Sequence, residues 1–111
     1  MAMMAICLPI VPGKKQQWQE MAAKFATEPL KSKLNASRAA AGVHERTFLQ
    51  ETPMGDLVIV TLEGANPFES FLKMMADPSM ADFAKWAAEV HGIDPTAGPP
   101  PAPKLVYDSR A

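Results

Sequence analysis

Apolar residues follow a strand-like pattern at the start of the chain and a helical pattern after it. Residues 3–11 form a nearly continuous apolar run, which predicts a buried strand that Pro9 restricts to a sheet edge or to the strand end. Apolar residues then recur at helical spacing: Trp18, Met21, Ala22 and Phe25, followed by Leu30, Leu34 and Ala41. We therefore predict helix over residues 14–41, with a break near Pro29 and an end at Gly42.

Residues 43–64 carry two strand-like runs that flank a Thr-Pro-Met-Gly turn, which predicts an antiparallel hairpin. A type I turn with a glycine bulge would pair Thr52 with Asp56, and the turn residues favour this register. In this register one face carries Phe48, Val58, Val60 and Leu62. The other face carries Glu45, Thr47, Leu49, Leu57, Ile59, Thr61 and Glu63. A pairing shifted by one residue is the alternative.

Two further helices are predicted in the second half of the chain. One begins at Asn66 and stops near Asp77, and the next is capped by Ser79 and ends at His91. The inward-facing residues of the second of these helices are Phe83, Trp86, Ala87 and Val90.

Residues 1–111 are predicted to form a single domain, with a core at 1–96, a stiff proline-rich linker at 97–103 and a C-terminal strand at 104–108. The element order is then β-α-β-β-α-(α)-β. This order is the ferredoxin-like arrangement of the α+β class, a four-stranded antiparallel sheet with helices on one face.

The second face of such a sheet needs a cover. Leu49, Leu57 and Ile59 lie on it in the favoured register, and the chain has no spare helix to pack there. A second copy satisfies this need when two sheets meet face to face and close a barrel-like core. We therefore predict a homodimer of the dimeric α+β barrel type.

Charge and composition argue against several partners. The net charge of −1 gives no long-range attraction for nucleic acid or for an anionic membrane. The apolar N-terminal run is too short to span a bilayer and lacks the basic start of a signal peptide. Cys7 is the lone cysteine, so no intrachain disulfide can form. We predict a cytoplasmic protein with neither a nucleic-acid nor a membrane partner.

Sequence motifs for metals and other cofactors are missing. His44 and His91 are the two histidines, and neither belongs to a zinc-binding motif, which needs three or four ligands. There is no glycine-rich phosphate loop and no Ser/His/Asp set. The prediction is therefore that the protein uses no metal and no cofactor.

Glu45 and Glu63 are the first candidates for acid–base chemistry, because the favoured register places them opposite each other. Two carboxylates held close together raise the pKa of one of them, so that a neutral acid and a charged base coexist. Thr47 and Thr61 lie between them and complete a polar patch inside the predicted barrel. The alternative is that both glutamates face solvent or pair with Arg46.

In the alternative register, His44 and Arg46 share a face with Thr61 and Glu63. The guanidinium of Arg46 would then bind a carboxylate or an enolate, or form a structural ion pair. His91 is interpreted as a residue that caps the end of the helix, with Gly92 after it in the left-handed conformation, and a role as ligand or acid–base residue is the alternative.

The hairpin and the last helix also carry a resemblance to a known group. Residues 45–56, with the pattern Glu-Arg-x-Phe-Leu-Gln-Glu-Thr-Pro-x-Gly-Asp, and the Val/Ile strand after them are similar to small bacterial proteins of the dimeric α+β barrel superfamily. Phe83-x-x-Trp86 and the His-Gly-Ile-Asp segment at 91–94 resemble the same group, so the resemblance covers residues 3–108.

The resemblance implies a fold and a dimer rather than one activity. The superfamily includes cofactor-free monooxygenases, haem-degrading enzymes, muconolactone-isomerase-like proteins, chlorite dismutases and ligand-sensing domains. The Asn-Trp-His set of the haem-degrading members has no match in this chain.

Three functions stay open on this basis. An enzyme would bind a small aromatic or polyketide-like substrate in an apolar pocket between sheet and helices, and would abstract a proton for oxygenation or isomerisation. The alternatives are a non-catalytic ligand-binding or stress-associated module, and a structural dimer without a pocket. The candidate catalytic residues are Glu45, Glu63, His44 and His91. The candidate substrate-binding residues are Arg46, Thr47, Thr61, Phe83 and Trp86.

Overall fold

The computed structural model describes residues 2–97 and 101–110, and within them the chain forms an α+β fold with three strands and four α-helices. The strands are β1 (Ala2–Pro9), β2 (Val43–Thr52) and β3 (Gly55–Gly64). The helices are α1 (Lys15–Lys24), α2 (Leu30–Ala41), α3 (Pro67–Ala76) and α4 (Ala81–His91). Two short 3-10 turns follow α3 and α4, at Pro78–Met80 and Pro95–Ala97. The predicted α+β class is confirmed.

The three strands form one antiparallel sheet in the order β1-β3-β2, so β3 is the central strand. Side chains alternate along a strand, and the register places Ile6, Val58 and Leu62 on the face that the helices cover. All three side chains are buried. The helices and the segments next to them bring further buried apolar residues against this face: Ile10, Trp18, Leu34, Met80 and Val90. The core therefore lies between the sheet and one layer of helices.

The break predicted near Pro29 divides the first helical region into two helices. α1 ends at Lys24, and α2 begins directly after Pro29, whose missing N–H costs nothing at a helix start. Gly42 ends α2 with a φ of 75°, a left-handed conformation that glycine adopts without steric strain. It is also the one residue between α2 and β2, so the chain reverses tightly there.

The hairpin register differs from the one that the turn residues favour. Thr52 pairs with Gly55 instead of Asp56, and Pro53-Met54 forms a two-residue loop. The Thr52 hydroxyl closes this loop, because it donates a hydrogen bond to the Gly55 carbonyl and accepts one from the Met54 N–H. Gly55, with a φ of 126°, is therefore the first paired residue of β3 and forms no bulge. The alternative register is the one observed.

This shift by one residue exchanges the two faces of β2. Phe48 now lies opposite Ile59, while Leu49 lies opposite Val58 and packs towards the helices. The prediction for Leu49 is therefore wrong, and Phe48 takes its place beside Leu57 and Ile59. We call the surface away from the helices the open face: Met3, Ala5, Cys7, His44, Arg46, Phe48, Leu57, Ile59, Thr61 and Glu63. No described element of the chain covers it, and Phe48 is 52% exposed.

The predicted fourth strand at residues 104–108 does not join the sheet of the single chain. Residues 101–108 have neither helical nor strand structure, and Leu105, Val106 and Tyr107 are at least 78% exposed. Part of the predicted linker, residues 98–100, lies outside the described residues. The four-stranded ferredoxin-like sheet is thus not confirmed, because the described residues of one copy form three strands.

Replacing Leu62 by alanine should lower the free energy of unfolding by about 3 kcal/mol, because the substitution empties a fully buried site in the central strand. Leu72→Ala on α3 is the matched control, since this leucine is 38% exposed, and it should cost about 1 kcal/mol. Urea denaturation of the two variants measures both values. Equal costs would contradict the placement of the core.

Candidate functional site

A concave site lies on the helix side of β2 and forms a cleft with a volume of about 480 Å³. It lies between the first residues of β2, one side of α2, the end of α1 and the start of α4. Its lining residues are Phe25, Leu34, Asn35, Arg38, Ala39, Val43, His44, Glu45, Thr47 and Phe83. The cleft is open to solvent and combines apolar walls with a small set of polar groups.

An ion pair forms the polar centre of the cleft. Arg38 Nε donates to Glu45 Oε1 at 2.9 Å, and the Thr47 hydroxyl donates to Glu45 Oε2 at 2.9 Å. The Arg38 and Glu45 side chains are only 16% and 22% exposed, so the pair is largely shielded from water. Both carboxylate oxygens of Glu45 are therefore occupied by donors from the protein itself.

The local fold explains why these residues meet. Arg38 follows Leu34 by four residues and so lies on the same side of α2, where its side chain is largely buried and its guanidinium lies over Phe83. The reversal at Gly42 then brings the last turn of α2 beside the first residues of β2. A charge held at such a position requires a partner, and Glu45 provides it.

Aromatic side chains from α4 and from the end of α1 form the apolar wall. The ring centroids of Phe25 and Phe83 are 5.9 Å apart, and Trp86 lies 5.3 Å from Phe83 and 6.2 Å from Phe25. The Arg38 guanidinium lies over the Phe83 ring, 5.7 Å from its centroid, within the range of a cation–π interaction. The aromatic and polar parts of the cleft are therefore in direct contact.

The two aromatic residues predicted as binding residues differ in position. Phe83 lines the cleft, whereas Trp86 lies behind it and packs against the core cluster of Ile10, Trp18 and Val90. The indole Nε1 of Trp86 is buried and has no hydrogen-bond partner among the described residues. Trp86 therefore supports the wall from inside.

The predicted carboxylate pair is not formed. In the observed register Glu45 lies opposite Leu62 on the helix side, while Glu63 lies opposite His44 on the open face. The placement of Glu45 and Glu63 opposite each other is therefore wrong, because a shift by one residue sends neighbouring side chains to opposite faces. Glu63 Oε1 instead lies 3.6 Å from Arg46 Nη1, which is the ion pair that the alternative predicted for this glutamate.

The other hairpin candidates are divided between the two faces. Thr47 joins Glu45 in the cleft, whereas Thr61 lies opposite Arg46 on the open face. His44 is an exposed residue at the start of β2, where it borders the cleft. The predicted polar patch is thus two separate groups, and their catalytic or binding roles stay predictions.

His91 has a structural environment away from the cleft. It is the last residue of α4, it is 6% exposed, and its Nδ1 lies 2.8 Å from the Pro9 carbonyl oxygen. Burial lowers the pKa of the imidazole below its ordinary value of 6.5, an effect that the hydrogen bond to Pro9 only partly offsets. The neutral ring therefore donates to the end of β1. Gly92 takes the left-handed conformation predicted for it, and the Ile93 N–H folds back to Ala88.

Six residues of the cleft were not among the sequence-based candidates: Phe25, Leu34, Asn35, Arg38, Ala39 and Val43. Arg38 could have been identified from the sequence, because it interrupts the apolar stripe of α2 between Leu34 and Ala41. A charged residue at a buried helical position indicates either a partner or a ligand.

Residues 2–97 and 101–110 contain no group of three or more His, Cys, Asp or Glu side chains that could hold a metal ion. None of the helices described in these residues is long and apolar enough to cross a membrane.

Comparison with known proteins returns no match to this chain, whether the comparison is with protein-family models, with curated proteins or with solved structures. The site must therefore be interpreted from its own geometry.

The stability of the protein should fall as the pH drops below about 6.5, because the unfolded chain then takes up a proton that the buried His91 resists. His91→Gln keeps a donor for Pro9 but does not titrate, so its stability should depend less steeply on pH between 7 and 5. Met54→Gln, at a turn position that is 98% exposed, is the control, and it should keep the wild-type slope because it removes no titratable group. Urea denaturation at a series of pH values measures the slopes. Parallel curves for the wild type and His91→Gln would contradict the assignment.

Proposed function

We propose that this chain is a small-molecule-binding protein that takes one planar aromatic molecule in the cleft. The observation that carries this proposal is the contact between a shielded ion pair and an aromatic wall in a site open to solvent. The volume of about 480 Å³ also falls within the range of roughly 300–1,000 Å³ that ligand pockets occupy. Apolar walls supply most of the affinity in such sites, and a few polar groups fix the orientation of the ligand.

The geometry supports binding more strongly than catalysis. Both oxygens of Glu45 already accept a hydrogen bond from the protein and its charge is paired with that of Arg38, so a substrate proton would compete with these contacts for the carboxylate. His91 is buried at the end of β1, away from the cleft. A cleft of this kind also favours a ligand-binding role over that of a purely structural dimer.

Cofactor-independent oxygenation or isomerisation is the second candidate function. It is favoured by one observation, that Glu45 and the His44 residue both line the cleft. A substrate that drew Arg38 away from Glu45 would free one carboxylate oxygen for proton abstraction. This chemistry belongs to enzymes of the superfamily that the sequence resembles.

We further propose that the protein is a homodimer whose two open faces pack against each other. Phe48 and Met3 are more than half exposed on this face, and Leu57 and Ile59 lie between them on the central strand. Arg46 supplies the opposite charge to Glu63 on the same surface, so that a twofold axis would bring complementary charges together. The resulting pair of sheets is the arrangement of the dimeric α+β barrel superfamily.

The exposed segment at residues 104–108 supports the same assembly. Leu105, Val106 and Tyr107 are apolar residues of high strand propensity without a cover in the single chain. Both β1 and β2 are edge strands with unpaired backbone groups. In the dimer this segment would add the fourth strand of a ferredoxin-like sheet, on its own subunit or on the partner.

Naphthalene compounds test the proposed binding site. Isothermal titration with 2-naphthoate and with 2-naphthalenemethanol should detect binding of at least one of them, with one site per chain. Phe83→Ala should weaken that binding about tenfold or more, because it removes an aromatic wall of the cleft. Phe68→Ala is the matched control, since Phe68 is exposed on α3 and does not line the cleft. Absence of binding by both compounds, or equal loss in the two variants, would refute the site.

Replacing Ile59 by glutamate should prevent dimer formation, because it would bury two unpaired charges in the proposed interface. Native mass spectrometry should show a dimer for the wild type and a monomer or aggregates for Ile59→Glu. Ala23→Glu adds the same charge to an exposed position on α1 and should leave the dimer intact. Cys7, which lies opposite Ile59, should react slowly with a thiol reagent in the dimer and rapidly in the monomer. A monomeric wild type would overturn the proposed assembly.

A further inference from the structure

The guanidinium of Arg38 has hydrogen-bonding capacity that the protein does not use. Nε is bound to Glu45, and Nη1 donates to the Ser37 hydroxyl at 3.2 Å. A guanidinium carries five N–H donors, and no hydrogen bond from Nη2 to a described residue occurs. The second N–H of Nη1 and the two N–H groups of Nη2 therefore have no partner among the described residues and can bind an acceptor.

The carboxylate of Glu45, in contrast, is already engaged by protein donors at both of its oxygens. Each of its two oxygens already accepts one hydrogen bond, from Arg38 or from Thr47, and its charge is balanced by the Arg38 guanidinium, so the carboxylate attracts a donor or a cation less than an unpaired carboxylate would. The free bonding capacity of the polar centre is thus mainly donor capacity. A ligand that complements this cleft must bring oxygen acceptors.

The guanidinium geometry restricts the acceptor further. Its Nη1 and Nη2 donors lie in one plane and match the two oxygens of a carboxylate. The group is held in place on one side by Glu45 and on one face by the Phe83 ring, so little side-chain entropy is lost when an anion binds. A ring attached to such a carboxylate would extend towards the aromatic wall.

We infer that the ligand of the cleft is an aromatic carboxylate, whose two oxygens are bound by Nη1 and Nη2 of Arg38 while its ring packs against Phe25 and Phe83. This inference rests on the proposed function and adds the chemical class of the ligand. Arg38 is the residue that determines this specificity.

A series of ring-matched naphthalene compounds tests the inference on the wild-type protein. 2-Naphthoate should bind roughly tenfold to hundredfold more tightly than 2-naphthalenemethanol, which keeps the ring but lacks the anion. 2-Naphthamide should bind with intermediate affinity, and 2-naphthalenemethylamine should bind more weakly than the carboxylate. Equal affinities, or tightest binding of the amine, would overturn the inference and leave the proposed aromatic site intact. Failure of all four compounds to bind would instead refute the proposed function.

Variants assign the preference to Arg38. Arg38→Lys keeps the charge but loses the planar pair of donors, so it should reduce the ratio of naphthoate to alcohol affinity about tenfold. The double variant Arg38→Gln with Glu45→Gln leaves no unpaired charge in the cleft, and it should abolish the preference while the neutral alcohol still binds. Lys85→Gln removes an exposed positive charge from α4, two positions after Phe83 in the sequence, and should keep the wild-type ratio. A preserved ratio in both Arg38 variants would refute the role of this residue.

Discussion

The structure depends on the packing of a three-stranded sheet against a single layer of helices. β3 is the central strand, and its side chains on the helix side, Val58 and Leu62, are almost completely buried. Its side chains on the other side, Leu57 and Ile59, are also apolar but have no cover within the described chain. The same strand therefore creates both the stable core and a surface that is unfavourable in water. The cleft lies at the border of this core, and the proposed dimer would bury this apolar surface.

The cleft is a place where the helix layer does not close completely over the sheet. α2 presents an arginine where its apolar stripe would otherwise continue, and the aromatic side chains of α1 and α4 stop at this charge. The ion pair with Glu45 allows the charge to remain close to the core, because breaking it would leave a shielded carboxylate without a partner. The polar centre is thus both a structural requirement and the source of selectivity for a ligand.

Much of the fold could be predicted from local patterns. Helical periodicity, Pro29, Gly42 and Gly92 indicated the helices and their ends, since these signals act within one or two turns. The hairpin register could not be predicted, because Thr-Pro-Met-Gly is compatible with two loops that differ by one residue. That difference moved Glu45 into the cleft and Glu63 to the open face. The segment at 104–108 has strand propensity, but its pairing depends on contacts outside its own sequence. The aromatic wall was predicted in part, through Phe83, and Arg38 was missed.

The two halves of the cleft have different origins along the chain. Arg38 and Glu45 are seven residues apart and meet across the single-residue turn at Gly42, so a short contiguous segment contains the whole ion pair. Phe25 and Phe83, in contrast, are separated by more than half of the chain and meet only when the helix layer is complete. Contacts of low sequence separation lose little chain entropy and can form early, whereas the aromatic contact must await the rest of the fold. Changes in this short segment can therefore alter which polar group the cleft recognises while the distant aromatic residues, and the ring they accommodate, stay the same.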